Sequence, residues 1–121
     1  MIQRIIEKDI LFGLGFQPAV AILGPRQVGK TTLVKQLQQK LAKPSVYFDL
    51  ERNGDWVKFQ HDRAAFLESM QDQTVILDEI QHLPEVFSDL RGLIDRNRTP
   101  ARFILLGSAS FVLLKNTFVL F

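Results

Sequence analysis

The 121-residue chain has no cysteine, only one tryptophan and one tyrosine, and almost no net charge. Without cysteine there is no disulfide framework, no thiolate metal site and no cysteine nucleophile, and nothing points to an oxidising compartment, so a cytoplasmic setting is expected. Fifteen Lys and Arg stand against thirteen Asp and Glu, a net +2 spread along the chain, which carries no strong nucleic-acid signal. Internal repeats and low-complexity linkers are lacking too, and the length suits one domain, residues 1–121, rather than two independent cores. An export signal is not expected, because Arg4, Glu7, Lys8 and Asp9 interrupt the first apolar stretch. Phe103 to Phe121 is a long apolar run with a single charge, Lys115, but Gly107-Ser-Ala-Ser110 and Lys115-Asn-Thr117 break it. It predicts a buried strand followed by an atypical apolar tail, 111–121, and no membrane span.

What is present is the balance of a globular protein, 46% apolar and 23% charged. Ile2, Ile5, Ile6 and Ile10 lie at helical spacing, with Gly13 and Gly15 marking an end. Ala19–Leu23 is a continuous apolar run of the kind that forms a strand buried on both faces. Leu33, Leu37 and Leu41 then mark a helix over 30–41, and Val46–Phe48 a second strand that ends at Asp49. Residues 51–72 are less legible, apart from a short helix over 64–70. A third strand, Thr74–Leu77, stops on Asp78-Glu79, and Pro84 opens a helix that reaches about Arg98. A fourth strand, Arg102–Leu106, leads into Gly107-Ser108. Alternation of strands and helices predicts an α/β fold with a parallel sheet of four core strands.

Three motifs carry chemistry. Gly24-Pro25-Arg26-Gln27-Val28-Gly29-Lys30-Thr31 matches G-x-x-x-x-G-K-[ST] between a strand and a helix, the context that such a phosphate-binding loop requires. Its glycines permit a turn whose backbone N–H groups face one phosphate chain, with the positive end of a helix behind them. Lys30 offers an ammonium to the outer phosphates, and the Thr31 hydroxyl a ligand to Mg²⁺. Arg26, Gln27 and Thr32 are either phosphate contacts or loop surface.

Asp78 and Glu79 end a strand where open α/β sheets bind ligands. Asp78 is a candidate Mg²⁺ ligand and Glu79 a candidate base that polarises water; the competing reading is a pair of acids capping the following helix. Ser108 would face the γ-phosphate or the attacking water if the fourth strand lies between the first and third, and is otherwise an ordinary turn serine. His61 and His82 lack a second ligand at metal spacing. Trp56 and Tyr47 can stack on adenine, but a core or surface role is the stronger expectation. Gly13-Leu-Gly15 lacks the third glycine of a dinucleotide fingerprint.

Together, GPRQVGKTTL, YFDLE, VILDEIQ and FILLGSAS resemble the prokaryotic AAA-type ATPases that carry an N-terminal P-loop domain. The resemblance extends to about Asn116 and implies a P-loop NTPase three-layer sandwich, with Gly24–Thr31 as Walker A, Asp78 and Glu79 as Walker B, and Ser108 as a sensor. It also implies ATP and Mg²⁺ as cofactors, and either a homo-oligomer or a further C-terminal region. The chain departs from it by stopping soon after the fourth strand, so the fifth strand is expected to be missing and the first strand to be an exposed edge. No arginine finger is assignable; Arg91, Arg96, Arg98 and Arg102 are candidates by residue type alone. Mg-dependent ATP hydrolysis is the leading expectation, with a non-hydrolysing nucleotide-binding or interaction fragment as the alternative. A small-molecule kinase explains the loop but leaves Asp78-Glu79 without a use.

Overall fold

Residues that cannot alternate between water and core must be covered on both sides, and the apolar runs of this chain meet that condition in a central sheet. The computed structural model describes residues 2–23, 30–107 and 117–120. In it β1 (Ala19–Leu23), β2 (Ser45–Asp49), β3 (Thr74–Asp78), β4 (Phe103–Gly107) and β5 (Thr117–Leu120) form one sheet in the order β2-β3-β4-β1-β5. All four neighbouring pairs run parallel, with Leu23 opposite Gly107, Leu77 opposite Leu105 and Asp49 opposite Asp78. Every strand therefore presents its carboxyl end to the same side of the domain.

Helices cover both faces. On one, α1 (Ile2–Leu14) and α2 (Lys30–Lys40) set Ile10, Leu14, Leu33, Val34 and Leu37 against Val20, Ile76, Ile104 and Leu106. On the other lie α3 (Asn53–Trp56), which runs into a 3₁₀ turn at Val57–Phe59, α4 (Arg63–Glu68) and α5 (Val86–Arg96). α5 buries one stripe, Val86, Leu90, Leu93 and Ile94, against Ala21, Val75, Leu77, Phe103 and Leu105. Each such side chain contributes roughly 2 kcal/mol by leaving water, so losing one loosens the whole layer.

The segment that sequence pattern leaves obscure, 51–72, is ordered by aromatic packing. Phe48, Phe59 and Phe66 meet edge to face with centroids 5.0, 5.6 and 5.1 Å apart. α4 starts on an Asp62 cap, whose Oδ1 accepts the Ala65 N–H at 3.1 Å, a contact worth about 1 kcal/mol.

The α/β architecture and the four expected strands are present, and β4 lies between β1 and β3 as the reading of Ser108 requires. The expectation that the fifth strand is missing is corrected. Thr117–Leu120, inside the stretch expected to be an atypical tail, pairs with Ala19–Ile22 and gives β1 a neighbour on both sides. The reason is physical: β1 between two strands leaves no row of unpaired amides, whereas β1 at the edge would.

Candidate functional site

The site is built at the carboxyl ends of the parallel strands. β1 ends at Leu23 and α2 begins at Lys30, so residues 24–29 join the strand tip to the helix start. Gly24, Pro25, Arg26, Gln27, Val28 and Gly29 lie outside the described residues, as does Ser108. Lys30 and Thr31 are the first residues of α2, and Thr32 beside them is exposed. Two strands away, about 10 Å across the sheet, β3 ends at Asp78.

Asp78 is 2% exposed and Glu79 7%, so both acids are buried. Strand alternation puts Asp78, like Ile76, on the face covered by α2. Its carboxylate is gripped from two directions: Oδ1 accepts the Glu79 N–H at 2.8 Å and Oδ2 accepts the Tyr47 hydroxyl at 2.5 Å. Burial, and next the adjacent Asp78 carboxylate, push the Tyr47 phenol well above its ordinary value, so it stays protonated and remains a donor. The backbone carbonyl of Asp78 accepts the Leu50 N–H at 2.9 Å, which ties the tip of β3 to β2.

At Glu79 the chain leaves the strand in the left-handed region, φ 55° and ψ 47°. A residue with a Cβ pays a steric penalty there, and such strain collects at functional sites. The turn is closed by the His82 N–H on the Glu79 carbonyl at 3.1 Å. Gln81 then donates its amide to Glu79 Oε1 at 2.7 Å, which sets the carboxylate's direction. Asp49, half-buried opposite Asp78, accepts the Glu51 N–H at 3.0 Å, and its own N–H binds Asp55 at 2.8 Å.

Other residues that invited a functional reading have structural partners. The Trp56 indole donates to the His82 carbonyl at 3.2 Å and packs on the core, and Tyr47 reaches Asp78. His82 lies 3.9 Å from Glu51. Among the described residues no three acids or histidines come together as a metal cage. Arg102 is 2% exposed and donates to the Leu93 and Asn97 carbonyls at 2.8 and 3.0 Å. Arg96 and Arg98 follow the same end of α5 and lie 3.9 Å from Glu68 and 3.4 Å from Asp95. All three stand at the amino ends of the strands, away from Asp78. The roles of Tyr47 and Gln81 are the features that sequence reasoning missed; the only signals were a lone tyrosine two residues before Asp49 and an amide two residues after Glu79.

This parallel sheet in the order β2-β3-β4-β1-β5, covered by helices and with paired acids at the tip of β3, has the fold of a P-loop NTPase domain. Residues 16–119 match the family model described as an AAA domain, and the chain belongs to that family. Two uncharacterised proteins, from Mycobacterium bovis and Mycobacterium tuberculosis, are each 43% identical over 93 residues, 77% of this chain. The chain spans 20% of the length of these curated relatives. The crystal structure of the P-loop NTPase domain of the sigma-54 transport activator from E. coli shares the fold, with a TM-score of 0.55 and 24% identity over 88% of this chain and 79% of that one. No helix among the described residues is long and apolar enough to cross a membrane.

Proposed function

We propose that the domain binds Mg-ATP and hydrolyses it, in the cytoplasm. The observation that carries this reading is the pair of buried acids at the tip of β3, on the same end of a parallel sheet as the start of α2. In the proposed site the backbone amides of Gly24–Gly29 cradle the phosphates, with Pro25, Arg26, Gln27 and Val28 forming the turn, and Lys30 neutralises the outer phosphates. Thr32 flanks them.

The buried Asp78 carboxylate suits a hard cation, no cage of three acids or histidines forms among the described residues, and this reading adds the Thr31 hydroxyl as a second ligand. Mg²⁺ is usually held in this way, by one or two carboxylates together with substrate phosphates. When bound it supplies neutralisation of charge on the β- and γ-phosphates. Glu79 orients a water and accepts its proton as the oxygen attacks the γ-phosphorus. The bond from that phosphorus to the bridging oxygen breaks, and ADP and phosphate leave. Ser108, the next residue in sequence after β4, is assigned the sensing of the γ-phosphate in this reading.

A second reading, nucleotide binding without turnover by part of a longer ATPase, is supported by the position of Arg96, Arg98 and Arg102. None of these three stands where a developing phosphoryl charge can be stabilised, and this reading takes the activating arginine from another copy in a homo-oligomer or from a C-terminal region.

Phosphate release and ATP binding measured together separate the two readings. Lys30→Ala is expected to weaken ATP binding by roughly 100-fold, the loss of about 2.7 kcal/mol of charge-assisted contact. Glu79→Gln is expected to keep affinity and lower turnover by about 10²–10⁴-fold. Turnover at background in both wild type and Glu79→Gln, with ATP bound, selects the second reading. Unchanged ATP affinity in Lys30→Ala removes both.

A further inference from the structure

Tyr47 stands on β2 with its Cα opposite Ile76, yet its hydroxyl reaches two residues further along β3 to Asp78 Oδ2 at 2.5 Å. The Glu79 N–H on Oδ1, at 2.8 Å, comes from the adjoining residue and forms wherever that turn forms. The phenol is the grip that comes from another strand. It fixes the rotation of the carboxylate about its own stem, which the neighbouring amide alone leaves freer. An ionised carboxylate has about four acceptor positions, so accepting from the phenol and the amide is compatible with serving as a cation ligand.

We propose that Tyr47 is a positioning residue for the metal-binding function of Asp78, setting the direction of its carboxylate toward the nucleotide-bound cation. The inference rests on the Mg-ATP reading of this site. The bland alternative is that Tyr47 fills space, since its ring packs against the α2-side core. Tyr47→Phe keeps the ring and removes only the donor, so it separates the two.

The test is a comparison of ATP affinity with Mg²⁺ and with EDTA, by calorimetry, in wild type, Tyr47→Phe, Asp78→Asn and the double variant. Partners that orient a metal ligand typically change metal affinity by about 10–100-fold. Tyr47→Phe is therefore expected to reduce the Mg²⁺-induced gain in ATP affinity by about tenfold, to leave affinity in EDTA unchanged, and to add nothing in the Asp78→Asn background. A gain within about twofold of wild type overturns the proposal. So does an equal loss with and without Mg²⁺, which would locate the phenol's effect in nucleotide contact or folding, or an effect that persists beside Asp78→Asn. Thermal melting of Tyr47→Phe distinguishes a folding loss from a local one. If wild type binds no ATP in either buffer, the Mg-ATP reading itself falls; if wild type shows the Mg²⁺ gain and Tyr47→Phe retains it, only the role of Tyr47 does.

Discussion

The two ends of the sheet handle buried polar groups in opposite ways. At the amino ends, polar side chains are used up on the backbone. Thr74, fully buried, donates to the Ala101 carbonyl at 2.7 Å, and the buried Arg102 caps the last turn of α5. At the carboxyl ends side-chain donors join the backbone N–H groups as partners: Tyr47 beside the Glu79 N–H on Asp78, and Gln81 on Glu79. A side chain locked to a carbonyl has its acceptor fixed by the fold, whereas a carboxylate steered by a phenol or an amide takes its direction from a side chain that one substitution can remove. Burial is similar at both ends, so burial alone does not tell a structural group from one held ready for chemistry. The kind of partner does.

The largest expected effect on stability is at Arg102. Its NH1 serves the Leu93 and Asn97 carbonyls, its stem lies in the core, and its guanidinium stands 5.1 Å from the centroid of the Phe103 ring. Nε finds no acceptor among the described residues, so the side chain is not ideally satisfied even now. Arg102→Ala removes the charged donor from two carbonyls and opens a cavity, and is expected to cost about 3–4 kcal/mol in urea unfolding. The ATP affinity of the folded protein should not change, because Arg102 is a sheet length from Asp78. A loss of affinity in well-folded Arg102→Ala would break the division between the two ends.

Thr74→Val comes next. Valine keeps the shape of the side chain and the strand preference, and only the hydrogen bond to the Ala101 carbonyl is lost. A cost of about 1–2 kcal/mol is expected, seen as a lower denaturation midpoint at an unchanged slope.

Much of this was legible in the chain because the strands of a covered parallel sheet are unbroken apolar runs. Ala19–Leu23 is strand over the full range its composition indicates, and Asp78 and Glu79 do sit at a strand tip. β5 escaped because a parallel neighbour ordinarily needs a connection of about a dozen or more residues, usually with a helix, and residues 108–116 do not reach that length. The short helix around Phe66 was legible from its local period, but the cluster of Phe59 and Phe66 was not, because it comes from packing on Phe48 across the fold. The Tyr47 contact depends on strand register, which no single segment contains. Gln81 was near enough in sequence to Glu79, but its reach depends on the left-handed turn between strand and helix.

That turn supplies the finest comparison between the two ends. Among the described residues the backbone is left-handed at two non-glycine positions, Glu79 at φ 55° and Ala101 at φ 62°. Each carries a steric cost of about 1–2 kcal/mol relative to ordinary backbone. Ala101 is held there by its N–H on the Gln17 carbonyl at 3.0 Å and by flanking bonds from Arg102 and Phe103 to Pro18. Its side chain is one methyl, so Ala101→Gly relieves the strain and gives up little else, and should raise stability by about 0.5–1 kcal/mol without touching ATP affinity. Glu79→Gly relieves the same strain but also removes the carboxylate and its bond to Gln81, so its stability should stay within about 0.5 kcal/mol of wild type while turnover is lost. Paired denaturation curves decide the matter. If Glu79→Gly is instead destabilised by more than about 2 kcal/mol, the Glu79 side chain is a structural tie like Arg102, and the strain at the tip of β3 serves folding before chemistry.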